Sequence, residues 1–269
     1  MIWLWAFLIA AAVALVLVAV AWVRGRRHPV AAPAQATRYP IVLVHGFGGF
    51  TRIGAGPLRG DYFRGVAAAL ERAGAVVYRP RLPMIAGVAR RARALADFIA
   101  ALEHQRVNVI AHSMGGLDAR YAIAKLGVGN RVASLVTIGT PHRGTPLAIL
   151  GAAGPIRLVG RVARRLGLDI GGAAWLTPGS AARFNHEIAD REGVFYGSVV
   201  GHTPPGAPIS RLLRRAGPND GLVPTSSQAW GEVIAEVEAD HWAQIGWSKE
   251  YDAAALYERL LDELRQRDL

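Results

Sequence analysis

The sequence predicts an α/β fold in which a mostly parallel sheet is flanked by helices. Short apolar runs typical of buried strands alternate along the chain with amphipathic stretches at helical spacing. The chain has 269 residues, which suits one large domain of this class. Because 52% of the residues are hydrophobic and none is cysteine, the composition excludes disorder, thiol catalysis and a disulfide framework.

The N-terminal segment differs from the rest and predicts a transmembrane anchor over residues 1–23. No charged residue occurs from Ile2 to Val23, a run that as a helix would span ~30 Å, about one bilayer core. A cleaved signal peptide is the alternative, but it would have a shorter apolar core preceded by Lys or Arg. Tryptophans stand near the two ends of the run, as in interfacial aromatic belts: Trp3, Trp5 and Trp22.

A linker over residues 24–38, rich first in arginine and then in alanine and proline, follows this run. Arginines just after an apolar span favour the cytoplasmic side of a membrane. We therefore expect a single-pass protein, in a bacterial inner membrane, whose domain over residues 39–269 faces the cytoplasm.

The formal net charge of +11 raises the question of nucleic acid. The cations are spread in pairs and triplets, and no recognisable nucleic-acid module contains them. Attraction to anionic lipid, together with a composition rich in arginine, explains them better. We therefore expect no nucleic-acid partner.

The first half of the domain predicts three strands and two helices in alternation. Residues 41–45 form a continuous apolar run closed by Gly46, which is typical of a buried parallel strand. Residues 61–74 and 87–104 carry apolar side chains at helical spacing, and residues 75–78 between them predict a second strand. Residues 106–111 predict the third.

The second half continues this alternation after one interruption. The pattern predicts a helix over 114–126, strands over 132–138, 194–200 and 233–237, and a closing helix over 249–267. Between 144 and 191 the alternation stops, which indicates an insertion. Within it, residues 155–166 are apolar on one face and arginine-rich on the other.

The most informative motif is the run Ala111-His112-Ser113-Met114-Gly115, which joins a predicted strand directly to a predicted helix. This arrangement is a nucleophile elbow, whose sharp turn strains the serine backbone and requires small neighbours. The usual first glycine is alanine here, which adds one methyl group. The alternative is an ordinary strand–helix turn with Ser113 as a capping residue.

Two backbone N–H groups would stabilise the oxyanion of a tetrahedral intermediate. In this architecture one belongs to the residue after the nucleophile, Met114, and the other to the loop after the first core strand. That loop runs from His45 to Gly49, and Phe47 is the predicted second donor. A glycine-rich turn without a catalytic role is the alternative.

The chain order of this architecture, serine then acid then histidine, selects the remaining partners. Only His241 lies near the C-terminus after a plausible acid loop, and Asp220 lies within that loop. Asp220 would fix the tautomer of His241, which would take the Ser113 proton. A surface histidine and a structural turn aspartate are the alternatives for these two residues. The rivals for the acid are Asp240, Asp190 and Glu192.

These residues resemble the α/β-hydrolase lipases, particularly the bacterial triacylglycerol lipases of the family I type. The likeness runs from about Tyr39 to Pro146 and from about Asn219 to Trp242. The motifs that carry it are Val42 to Phe47, Tyr62-Phe63, Gly74 to Tyr78, Gly115 to Tyr121 and, most specific, Thr137 to Thr145.

The resemblance implies the α/β-hydrolase fold, hydrolysis of carboxylic esters on acyl-glycerol-like substrates, and a lid formed by the 144–191 insertion. Many such lipases bind calcium through an aspartate two residues after the catalytic histidine. Ala243 occupies that position here, so we expect no metal there. The chemistry requires no cofactor.

The sequence therefore predicts a membrane-anchored serine lipase or esterase acting through Ser113, Asp220 and His241. A thioesterase, a polyester depolymerase or a phospholipase would use the same triad and remains open. A non-catalytic, membrane-anchored interaction protein on the same fold is the alternative from another class.

Overall fold

The computed structural model describes residues 37–49, 52–53, 60–152, 169, 171–204 and 206–269. The predicted anchor, all but two residues of the predicted linker, and the amphipathic stretch 155–166 lie outside these ranges. Within them, no helix is both long enough and apolar enough to cross a membrane.

Six parallel strands form the main sheet, in the spatial order β4 (Val77–Tyr78), β1 (Ile41–Val44), β5 (Val107–His112), β6 (Val132–Ile138), β7 (Phe195–His202) and β8 (Glu232–Glu238). The strands β1, β5 and β6 are buried along their whole length, because helices cover both faces of the sheet, whereas the glutamates of the edge strand β8 are exposed. Residues 52–53 and 60–61 form a separate antiparallel pair, β2 and β3.

Helices follow most strands and return the chain to the edge of the sheet where the next strand begins. The helices are α1 (Val66–Arg72), α2 (Val88–Ala101), α3 (Met114–Lys125), α4 (Leu147–Ala152), α5 (Gly172–Trp175), α6 (Pro178–Glu187), α7 (Thr225–Gln228) and α8 (Ala253–Gln266). Among the described residues, three 3₁₀ helices cover Gly129–Arg131, Pro208–Ala216 and Ala243–Ile245.

The core has two layers, one on each face of the sheet. Ile41 and Leu43 of β1 pack with α1 and α8, whereas Val42 and Val44 pack with α2 and α3. This division follows from the pleat, which sends successive side chains to opposite faces. The predicted α/β fold with a mostly parallel sheet is confirmed.

The structure corrects several predicted boundaries. The first helix begins at Val66 instead of residue 61, because Gly65 has φ 76° and residues 60–61 pair as a strand. The closing helix begins at Ala253, after Asp252 accepts the Ala255 N–H as an N-cap. The predicted strand over 132–138 has the observed bounds.

Candidate active site

Ser113 lies at the turn from β5 to α3 with φ 56° and ψ −133°. Among the described non-glycine residues only it and Asp268 have positive φ. Hydrogen bonds maintain this strained turn: Ser113 N–H donates to the Ile138 carbonyl at 2.9 Å, and Thr140 Oγ1 donates to the Ser113 carbonyl at 2.7 Å. Such a conformation costs about 1–3 kcal/mol and persists only where the surroundings impose it.

Two glycines, Gly46 in the loop after β1 and Gly115 in α3, allow the elbow to pack closely against β1. A Cβ at Gly46 would lie 2.7 Å from Ser113 Cβ, and one at Gly115 would lie 2.8 Å from the Val44 carbonyl oxygen. Both distances are too short for a real side chain. The close approach of β1 therefore explains why position 115 needs a small residue, as the elbow motif predicts.

His241 and Asp220, 21 residues apart in sequence, form a buried pair. His241 Nδ1 lies 2.7 Å from Asp220 Oδ2, and His241 is 3% exposed, which excludes a surface histidine. The other oxygen, Asp220 Oδ1, accepts the N–H groups of Leu222 at 2.9 Å and Val223 at 2.7 Å. Because a carboxylate only accepts, Nδ1 carries the proton and Nε2 is free to accept one.

The rival acids have other partners. Asp240 Oδ1 accepts the N–H groups of Trp242 and Ala243, each at 2.8 Å. Asp190 accepts the indole N–H of Trp230. Glu192 is exposed. Of the four candidates, the structure places only Asp220 against His241.

Ser113 lies at the same edge of the sheet as this pair. Gly139 follows Ile138, whose carbonyl accepts the Ser113 N–H. A Cβ at Gly139 would lie 3.1 Å from Asp220 Oδ2 and 3.2 Å from His241 Nδ1. Among hydrogen bonds between described residues, none joins Ser113 Oγ to His241. Such contacts often tighten only when substrate binds.

The predicted oxyanion donors, Phe47 and Met114, flank the elbow. The Phe47 loop is fixed on either side, because Gly46 N–H donates to Tyr62 Oη at 3.1 Å and Gly48 N–H donates to the Met84 carbonyl at 2.7 Å. Within the described ranges neither the Phe47 nor the Met114 N–H donates to a protein group. Met114 begins α3, whose positive end favours an anion.

The sequence did not predict the chain of hydrogen bonds that joins the oxyanion loop to His241. Tyr62 Oη lies 2.8 Å from His112 Nδ1, and His112 Nε2 lies 3.0 Å from the His241 carbonyl oxygen. Burial lowers the pKa of His112 well below its ordinary value, and the neighbouring His241 lowers it further. In the sequence, the position of His112 next to Ser113 was the indication that His112 could take part in the site.

A second missed feature is the buried ion pair between Arg91 of α2 and Asp118 of α3, at 2.7 Å. Arg91 also donates to the His45 carbonyl at 2.6 Å, at the start of the oxyanion loop. Burial raises the pKa of Asp118 to about 7, and Arg91 opposes this shift. Burial, then the Arg91 charge, lowers the pKa of His45 to about 4.

The Thr137 to Thr145 block has a structural role around His142. His142 is fully buried, 3.0 Å from Thr137 Oγ1 and stacked on Trp230 with ring centroids 5.3 Å apart. Arg120 of α3 lies over the same indole at 3.5 Å and donates to Asn185 of α6 at 2.8 Å. This cluster joins α3 and α6 to the loop that follows α7.

The described residues contain no group of three or more His, Asp or Glu side chains placed to hold a metal ion. Ala243, at the position where the resemblance places a calcium ligand, is a buried residue of a 3₁₀ helix.

A parallel sheet flanked by helices, with a strained serine between strand and helix and an Asp–His pair at the same edge, defines the architecture of an α/β hydrolase. The chain belongs to the alpha/beta hydrolase family, whose model matches residues 41–269.

The predicted resemblance to triacylglycerol lipases is also confirmed. The chain is 40% identical over 120 residues to the triacylglycerol lipase of Pseudarthrobacter phenanthrenivorans, which covers 42% of this chain and 36% of that lipase. It is 31% identical over 208 residues to triacylglycerol lipase 2 of Saccharomyces cerevisiae, covering 70% of this chain and 63% of that protein. The chain thus spans about a third of the bacterial relative.

Solved structures share the fold at low sequence identity. The mature Bacillus licheniformis lipase BlEst2 superposes with a TM-score of 0.70 at 20% identity, covering 88% of this chain and 96% of that chain. The metagenomic carboxyl esterase MGS0156 gives 0.73 at 21% identity, covering 90% and 80%.

Proposed function

We propose that this chain is a serine hydrolase that cleaves carboxylic esters of lipid-like substrates. The observation that carries the proposal is the strained Ser113 at the same sheet edge as the buried Asp220–His241 pair. The relatives named as triacylglycerol lipases support the lipid-like class of substrate.

In the first half of the reaction, Ser113 Oγ attacks the ester carbonyl carbon and His241 Nε2 takes the serine proton. The N–H groups of Phe47 and Met114 stabilise the negative charge on the carbonyl oxygen. As the intermediate collapses, the carbon–oxygen bond to the alcohol breaks and His241 returns the proton to the leaving alcohol. An acyl-enzyme on Ser113 remains.

In the second half, water attacks the acyl carbon. His241 Nε2 takes one proton from the water and returns it to Ser113 Oγ as the acid leaves. Asp220 stabilises the imidazolium in both halves and keeps the Nδ1 proton in place.

Hydrolysis of p-nitrophenyl esters by the full chain tests the proposal. We expect Ser113→Ala to lower kcat at least about 10³-fold while the fold persists. Ser226→Ala, at an exposed serine of α7, is the matched control and should leave kcat unchanged. Equal kcat in Ser113→Ala and the wild type would leave the non-catalytic interaction protein as the remaining interpretation.

A series of esters and thioesters of increasing acyl length identifies the substrate. We expect kcat/KM to rise with acyl length and to be higher for oxygen esters. A preference for thioesters, polyesters or phospholipids would reassign the substrate among hydrolases with the same triad.

We also propose that residues 1–23 anchor the chain with the domain in the cytoplasm and that the 144–191 insertion acts as a lid. The charge-free run from Ile2 to Val23 and the amphipathic stretch 155–166 support these two assignments. A reporter fused to the C-terminus should be active in the cytoplasm, and activity only in the periplasm would reverse the orientation.

A further inference from the structure

The 3₁₀ helix Pro208–Ala216 connects β7 to the turn that contains Asp220. Side chains three residues apart are eclipsed in a 3₁₀ helix, so its nine residues form three faces. One face, formed by Ser210, Leu213 and Ala216, points inward, and Leu213 is 2% exposed. The other two faces point to solvent.

One solvent face, which we call the apolar face, begins with Ile209 and Leu212, which are 40% and 78% exposed, and ends at the exposed Arg215. The other solvent face is basic. Arg211 and Arg214 share the basic face, and neither forms an ion pair within the described part of the chain. No Asp or Glu occurs in the sequence between Glu192 and Asp220 to offset their charge.

This segment contacts the turn that holds the catalytic acid. Asn219 Nδ2 donates to the Ser210 carbonyl at 3.4 Å, and a Cβ at Gly221 would lie 2.7 Å from Ile209 Cγ1. The apolar face is therefore at the carboxyl edge of the sheet, where Ser113 also lies.

Other exposed apolar side chains occupy the same edge. Of the eight large apolar side chains exposed among the described residues, six lie in segments that follow the carboxyl end of a strand, whereas Val76 and Val233 do not. The six are Met84, Ile85, Ile149, Ile209, Leu212 and Trp242.

We propose that the segment Pro208–Ala216 docks the domain on an anionic lipid surface. Ile209 and Leu212 enter the acyl boundary, and Arg211 and Arg214 contact the anionic headgroups. An acidic protein or a nucleic acid would match the arginines but would leave the most exposed leucine, Leu212, in water. Docking is a binding property and does not depend on the proposed hydrolysis.

The absence of cysteine from the chain allows a site-specific measurement. Leu212→Cys in the full chain, also carrying Ser113→Ala, is labelled with an environment-sensitive dye and mixed with vesicles. One set contains phosphatidylcholine alone and the other contains phosphatidylglycerol as well. We expect a blue shift and quenching by spin-labelled lipid only with the anionic vesicles, weakened by high salt. The dye reports lipid contact at position 212 itself, whether or not residues 1–36 also bind the bilayer.

Two variant pairs localise the effect. Arg211→Glu with Arg214→Glu should weaken the dye response at least about tenfold. Arg72→Glu with Lys125→Glu makes the same charge change at the last residues of α1 and α3, near the opposite edge, and should not alter it.

Position 76 provides the matched dye control. The same dye at Val76→Cys, just before β4, should remain in water in both vesicle types. Equal signals from the two vesicle types at position 212, or an equal shift at position 76, would overturn the proposal. A blue shift of the position-212 dye with duplex DNA and not with vesicles would also overturn the proposal.

Discussion

The imidazole of His112 lies against that of His241, with ring centroids 4.4 Å apart, and His112 Nε2 is 3.0 Å from the His241 carbonyl oxygen. Because a carbonyl oxygen only accepts, His112 carries its proton on Nε2, and its Nδ1 accepts the Tyr62 hydroxyl proton. The same hydroxyl accepts the Gly46 N–H. A single buried path therefore joins the oxyanion loop to the backbone of His241.

Replacing Tyr62 with phenylalanine removes the middle of this path. The Gly46 N–H and His112 Nδ1 lose their partner, so we expect a loss of about 1–3 kcal/mol in the free energy of unfolding. We also expect kcat to fall about tenfold while KM changes little, because the oxyanion donor next to Gly46 loses its fixed position. Thermal denaturation and ester kinetics measure the two effects.

Tyr257→Phe is the matched control. The Tyr257 hydroxyl is buried and has no hydrogen-bond partner among the described residues. Removing it should leave the free energy of unfolding unchanged or raise it, and kcat should not change. Equal effects of the two variants on kcat would contradict a positioning role for Tyr62.

Asp220→Asn should lower kcat about 10⁴-fold without unfolding the protein. Oδ1 of this residue receives two backbone N–H groups, so the amide oxygen of asparagine would occupy that place and its NH₂ would face His241. His241 Nδ1 would then accept, and Nε2 would carry the proton and could no longer act as the base. Steady-state kinetics measure the loss.

Asp240→Asn tests the neighbouring carboxylate, whose hydrogen bonds with described residues come from the backbone N–H groups of its own turn. Its kcat should remain within a few-fold of the wild type. A larger loss in Asp240→Asn than in Asp220→Asn would identify Asp240 as the catalytic acid.

The strained backbone of Ser113 predicts an unusual order of stability between two inactive variants. Glycine tolerates positive φ and alanine does not, so Ser113→Gly should be more stable than Ser113→Ala by about 1 kcal/mol. At Ser226, in helical α7, the order should be reversed, because glycine destabilises a helix. Urea denaturation checks both pairs, and the same order at the two sites would argue against strain at Ser113.

Acid should destabilise the protein between pH 7 and pH 5. Burial lowers the pKa of His45 to about 4 and those of His112 and His142 well below the ordinary value of 6.5. In this range the unfolded chain therefore binds more protons than the folded one, and stability falls as the pH falls. Asp118, whose pKa burial raises to about 7, binds its proton more readily in the folded chain and so has the opposite effect on stability. It is one group, whereas three histidines act in the other direction.

The melting temperature against pH measures this dependence. Substituting one of the three groups, as in His112→Asn, should make the fall between pH 7 and pH 5 shallower. A melting temperature that is constant or rises on acidification would contradict neutral buried histidines.

The sheet and the elbow were predictable because local patterns encode them. Buried parallel strands such as β5 and β6 are continuous apolar runs, and the Ser113 turn requires small residues within a few positions. The 3₁₀ helix Pro208–Ala216 was missed because its faces repeat every three residues, which a search at the α-helical period does not detect.

Contacts distant in sequence explain the other omissions. Tyr62 and His112 meet across 50 residues, and Arg91 of α2 meets Asp118 of α3 across 27. Arg91 is fully buried, whereas a charged residue on an amphipathic helix is ordinarily assigned to its solvent face. Only the folded arrangement of α2 and α3 shows that the two side chains are buried against each other at 2.7 Å.

Covalent labelling with a fluorophosphonate probe tests the central claim, an acyl-enzyme on Ser113, most directly. The probe mimics the tetrahedral intermediate and needs both an activated serine and the oxyanion donors. We predict one adduct per chain, mapped by peptide mass spectrometry to Ser113, absent in Ser113→Ala and strongly slowed in His241→Ala. An adduct on another serine, or equal labelling of Ser113→Ala, would contradict the account.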